Sequence, residues 1–71
     1  MITGEQLANW FTYHQSQGDE PERYSKLRTA ALAFANVVVE CTPPSVDQNE
    51  AIRKIREAVM TANAAIACHG E

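Results

Sequence analysis

The chain reads as an all-α protein: a long antiparallel helical hairpin preceded by a short N-terminal helix, assembled as a homo-oligomer. Three observations carry that reading. Two segments of twenty-odd residues, one following Pro21 and one following Ser45, repeat apolar side chains at three- and four-residue spacing, the period of a helix that buries one face. Between them Thr42-Pro43-Pro44-Ser45 is a hard break, because each proline biases its predecessor away from helical backbone. A connection that short makes the two helices antiparallel neighbours. The whole of 1–71 then reads as a single helical domain.

The first element lies within MITGEQLANWFTYH, residues 1–14. Thr3 and Gln6 stand at the two positions of a capping box, in which a hydroxyl and an amide each satisfy the other residue's backbone N–H. Leu7, Trp10 and Phe11 give this helix one apolar edge. A free helix of such length is marginal in water, so it must lean on something, and the end of the hairpin is the available support. Residues 15–20, QSQGDE, have no periodicity and carry Gly18, so they read as a loop.

The second helix starts at Asp19 or Glu20, with Pro21 at the first helical position, where a missing N–H costs nothing. Its inner face is expected to hold Tyr24, Leu27, Ala31, Phe34, Val38 and Cys41, widened by Ala30, Leu32, Ala35 and Val39. Val37-Val38-Val39 is a poor helix former and reads equally as strand in isolation. The helical spacing extends about four turns N-terminal to those valines and favours helix.

The last stretch, residues 45–71, opens with Ser45 and Gln48 at capping-box spacing. Asp47 and Glu50 add negative charge near the positive end of the helix dipole. Ile52, Ile55, Val59, Ala62 and Ile66 form its stripe, and Ala51, Ala58 and Ala65 recur beside it as a row of small side chains. Gly70 falls where a left-handed cap is expected. Together the two long helices carry more apolar face than one hairpin hides, which predicts symmetric self-association, most simply a dimer or a multiple of dimers.

Composition narrows the function. A single core in 71 residues rarely supplies more than about 3–5 kcal/mol, so small folds usually add disulfides, metal or self-association. Cys41 and Cys68 fall near the far ends of successive antiparallel helices, too distant to bridge within one chain, and read as reduced thiols. The N-terminus has no charged-then-apolar signal, and no run of 18 apolar residues occurs, so neither secretion nor a membrane partner is expected. A net charge of −3 argues against DNA, whose binders neutralise many phosphates. Glycine-rich phosphate loops, the GxSxG elbow, HExxH and paired-cysteine zinc spacing are all missing. No enzyme activity, cofactor or metal is therefore expected.

Two features remain. Phe11-Thr12-Tyr13-His14 is an aromatic cluster directly before a polar loop. Its rings suit either burial against helix ends or display. Arg23, Lys26 and Arg28 put cations at the start of the second helix, against its dipole, unless Glu20 and Glu22 pair with them. Arg53, Lys54 and Arg56 interleave with Glu50 and Glu57 and read as a solvated face. An aromatic plane and an arginine fork are what a nucleotide requires: the ring stacks on a base, worth roughly 1–3 kcal/mol, and the guanidinium takes phosphate oxygens in pairs. In a two-fold assembly the matching ligand carries two bases and two phosphates.

FTYH, then RYSKLRTAALAFA, then TPPSVDQNEAIRKIREAVMTANAAIA together resemble the small phage-encoded anti-CBASS sponge proteins of the anti-CBASS protein 2 type. The resemblance covers residues 10–69, and REAVMTANAAIA is its most specific part. It implies an all-helical homohexamer, a trimer of dimers, in the cytoplasm of the infected bacterial host. It also implies binding of cyclic dinucleotide messengers, cGAMP among them, between subunits and without cleavage, so that the defence effector is never triggered. The family's stacking tyrosine matches Tyr13 and its basic residue matches Arg28 by spacing, with Lys26 as the nearby substitute and His14 as the neighbour within the motif. Some members hold cyclic trinucleotides at a second site that uses an arginine near the C-terminus. Ala67-Cys68-His69 has none, so that second activity is expected to be absent or altered. The rival readings are a helical protein–protein module that binds a host protein, a phosphodiesterase-like hydrolase for which no clustered carboxylates are present, and a DNA-binding helical dimer.

Overall fold

The computed structural model describes residues 1–70; Glu71, the end of the last stretch, lies outside the described residues. Three helices follow in order: α1 (Gly4–Trp10), α2 (Glu20–Cys41) and α3 (Val46–Ala67). No strand occurs among the described residues, and the triple valine is helical. Only Val38 of the three is half-buried on the seam, Val37 and Val39 being exposed, so continuity with the long helix around them, more than burial, offsets the weak helix propensity of β-branched side chains.

The seam between α2 and α3 is built from half-buried side chains. From α2 come Tyr24, Leu27, Ala31, Ala35 and Val38; from α3 come Ile52, Ile55, Val59, Ala62 and Ile66. The α3 stripe is the one the spacing predicts. The α2 stripe differs at two places, since Phe34 and Cys41 are exposed and Ala35 takes the seam. A small side chain at that crossing lets the backbones approach, and the phenyl ring is turned to the flank.

The termini of the helices show which capping expectations hold. At α1 both halves of the box form: Thr3 Oγ1 accepts from Gln6 N and Gln6 Oε1 accepts from Thr3 N, each at 3.0 Å. At α3 only half does. Ser45 Oγ accepts from Gln48 N at 3.1 Å, but the Gln48 amide turns away to donate to Thr42 O at 3.0 Å and Thr42 Oγ1 at 3.1 Å, with a longer 3.4 Å contact to Val39 O. Those carbonyls belong to the orphaned end of α2, and with the Gln48 amide nitrogen committed to them no bond forms from Ser45 N to the amide oxygen. Gln48 thus ties one helix end to the next helix start.

Pro21 occupies the second helical position rather than the first, with Asp19 as N-cap. The Asp19 carboxylate makes no cap bond; it pairs with Arg23 at 3.3 Å. Glu20, one of the two acids that could have paired with the α2 cations, is instead 5% exposed, its carboxylate accepting from Gln17 N at 3.1 Å. Its charge sits in the first turn of α2, where the dipole offsets part of the burial. At the end of α3 the left-handed cap falls one residue earlier than expected. His69 (φ 55°) takes that position, followed by Gly70 (φ 79°). His69 N donates to Ile66 O at 3.2 Å and Gly70 N to Ala65 O at 2.8 Å, a Schellman pair.

The hairpin alone has almost no interior. Cys68 is the one buried apolar residue among those described, and Leu32, Phe34, Val37, Val39 and Met60 are all at least half exposed. The radius of gyration is 15.2 Å, against about 11 Å for a compact chain of this length. An open groove of about 590 Å³ runs along one side of the seam, floored by Ala30, Phe34, Ala51, Ala58 and Ala62, with Lys54 at its rim. Two members of the predicted alanine row, Ala51 and Ala58, therefore line an open apolar surface.

Candidate functional site

The FTYH motif is a capped helix end that displays two rings, Phe11 and Tyr13. The last four carbonyls of a helix have no partner within it, and three of those of α1 are taken up by this motif. Phe11 N donates to Leu7 O at 3.2 Å. The Thr12 hydroxyl donates to Ala8 O. His14 Nε2 lies 2.7 Å from Asn9 O, which fixes the hydrogen on Nε2 because a carbonyl only accepts. Tyr13 alone makes no hydrogen bond among the described residues, and its side chain is 87% exposed. Phe11 is also displayed, at 82%, so neither ring is buried against the helix ends.

This turn is anchored to the far end of α3. Asn9 Nδ2 donates to Cys68 O at 3.2 Å, and the Cys68 thiol points at Asn9 O at 3.8 Å. Trp10 lines a cleft with Thr61, Ala64 and Ala65. α1 is therefore the expected lid, held on the end of the hairpin where α3 finishes and α2 begins.

The cations are free of the partners first considered for them. Arg23 is paired with Asp19, but Lys26 and Arg28 are exposed and have no ion pair or hydrogen bond among the described residues. They lie about 9 and 12 Å along the axis from the start of α2. Arg28 sits four residues after Tyr24 and three before Ala31, so it flanks the seam; Lys26 lies on the side of α2 turned away from α3. Within one chain no hydrogen bond or ion pair joins Tyr13 or His14 to either cation. On α3, Lys54 pairs with Glu50 at 3.4 Å, in keeping with a solvated face.

Cys41 is exposed and Cys68 buried, both as free thiols, and no group of three His, Cys, Asp or Glu residues clusters for a metal among the described residues. No helix is long and apolar enough to cross a membrane. The contact between Asn9 and Cys68 escaped sequence reasoning, which read Cys68 only as a reduced thiol. Neither belongs to a local motif, and their bonds span 59 residues.

A bare helical hairpin with displayed aromatic rings and unpaired cations near one end defines a class: small helical scaffolds with aromatic and cationic groups on their surface. The chain belongs to the Acb2/Tad1 hairpin-domain family, which matches residues 3–67. That is the family of anti-CBASS protein 2 and Tad1, and membership suggests an anti-CBASS sponge. No curated protein and no solved structure gives a significant match.

Proposed function

We propose that the protein is a phage anti-defence sponge that binds cyclic dinucleotide messengers of CBASS systems and sequesters them without cleavage. The observation that carries this reading is the combination of an exposed Tyr13, on a turn whose neighbours Thr12 and His14 are tied back to α1, with an exposed, unpaired Arg28 in the first half of α2. Tyr13 stacks on a base, which needs only an accessible ring face. Arg28 takes phosphate oxygens in a fork, with Lys26 as the alternative point charge.

The exposed apolar groove and the missing interior support self-association, and we assign a homohexamer built as a trimer of dimers, with ligand held between subunits. Its place of action is the cytoplasm of the infected bacterium. Binding alone is the mechanism: a tight complex lowers free messenger below what the effector needs. The same groove also favours a second reading, a module that docks on a host protein; in that case Tyr13→Ala leaves function intact.

Mixing purified protein with cGAMP, then releasing the ligand by heat and separating it by chromatography, tests the proposal. Intact cGAMP lost from the free pool and recovered after release is the expected result. Linear product means an enzyme. A free pool that never falls moves the host-protein reading to the front.

A further inference from the structure

We propose that Asn9 and His14 are positioning residues: they hold the Tyr13 ring in its displayed place, and His14 acts through the backbone of α1 rather than by touching the ligand. This rests on the sponge reading of the Tyr13 site. His14 is half-buried, and its Nε2–H is spent on Asn9 O at 2.7 Å. That bond closes residues 9–14 into a loop, inside which Phe11 and Thr12 are also tied back to α1. Asn9 in turn is fixed to α3 through both its amide and its carbonyl, each meeting Cys68. A continuous line of contacts thus runs from the end of α3 through Asn9 and His14 to the residue beside Tyr13. A ring on an untethered loop loses backbone and side-chain freedom when it stacks; one held in advance loses little, and the difference appears as affinity.

Amide geometry separates positioning from direct contact. A glutamine places its amide nitrogen near the Nε2 position of histidine, whereas asparagine reaches only as far as Nδ1. His14→Gln is therefore expected to keep cGAMP affinity within about threefold. His14→Asn and His14→Ala are each expected to weaken it about tenfold or more, with helicity by circular dichroism unchanged. Affinity kept by Asn and lost by Gln overturns the proposal and makes His14 a ligand contact through Nδ1. Equal affinity in all three variants overturns it as well.

A second readout needs no ligand. In a Cys41→Ser background, an aromatic disulfide reagent reads Cys68 alone, which is 7% exposed and should react slowly. His14→Ala is expected to speed labelling several-fold and His14→Gln to leave it near the parent rate. Faster labelling in His14→Ala upholds the anchor even where cGAMP does not bind, which would be a failure of the sponge reading alone. Equal rates in Ala and Gln overturn the anchor whatever the ligand does.

Discussion

Tyr13 and Arg28 are the residues whose removal should cost binding without costing the fold, because neither contributes a bond to the chain itself. Tyr13→Ala removes stacking worth roughly 1–3 kcal/mol, so about 5- to 150-fold in Kd. Calorimetric titration with cGAMP should read that loss, while Tyr13→Phe keeps most of the affinity. A thermal midpoint that falls together with affinity would mean the ring is structural after all. Arg28→Lys should recover only part of what Arg28→Ala loses, since an ammonium is a point charge and cannot take two phosphate oxygens as a fork does. At the opposite end of the chain, His69 occupies a left-handed backbone position (φ 55°) that suits glycine. His69→Gly should raise stability by about 0.5–1 kcal/mol, net of the entropy glycine adds to the unfolded chain. Chemical denaturation gives the number, and a fall in stability would show that the imidazole makes a contact that matters more.

At the scale of elements, the link between α2 and α3 depends on Gln48. Its amide donates to Thr42 O and Thr42 Oγ1, so it joins the end of one helix to the start of the next across the proline turn. Gln48→Glu replaces both amide hydrogens with a carboxylate facing carbonyl oxygens. It should destabilise the hairpin by about 1–3 kcal/mol, the range for a bonded polar group left facing an unpaired one. Ser45→Ala, which removes only the cap, should cost about 1 kcal/mol. If Gln48→Glu proves as mild as Ser45→Ala, the bridge contributes little. The spacing of Ser45 and Gln48 was legible, but the destination of the amide was not. A box and a bridge need the same two residues, and what separates them is whether a competing set of carbonyls lies close by. That is a property of the turn and of α2, not of α3. The cap of α3 shows the same limit at shorter range: Gly70 says that a cap is coming, and one residue of slack puts His69 in its first left-handed position.

For the molecule as a whole, the self-association proposed above is what would cover the hairpin's apolar surface. The chain's radius of gyration of 15.2 Å and its exposed Leu32, Phe34, Val37 and Val39 leave apolar surface whose covering would stabilise the fold by about 25 cal/mol per Å². Thermal stability should therefore rise with protein concentration, as it does when folding and assembly are coupled. Phe34→Glu, which puts a charge into the groove, should shift sedimentation to a smaller species and lower the midpoint. A wild-type chain that sediments as a monomer at micromolar concentration with full helicity would refute this.

What the sequence determined by itself is what depends on neighbours within about one turn or on a repeating period. The three helices, the Thr3–Gln6 box, the proline break and the α3 stripe all follow from contacts three or four residues apart. The tertiary structure alone decided which polar side chains reach across the fold: Gln48 to Thr42, Asn9 to Cys68, and with them the anchoring of the turn that carries Tyr13. It also decided that Ala35 rather than Phe34 takes the seam and that Lys26 and Arg28 are left without partners. The reason is geometric. Periodicity constrains direction around one axis, whereas a hydrogen bond or a pairing is chosen among all the groups that folding brings within about 3 Å, and residues 59 apart in the chain carry no local trace of each other.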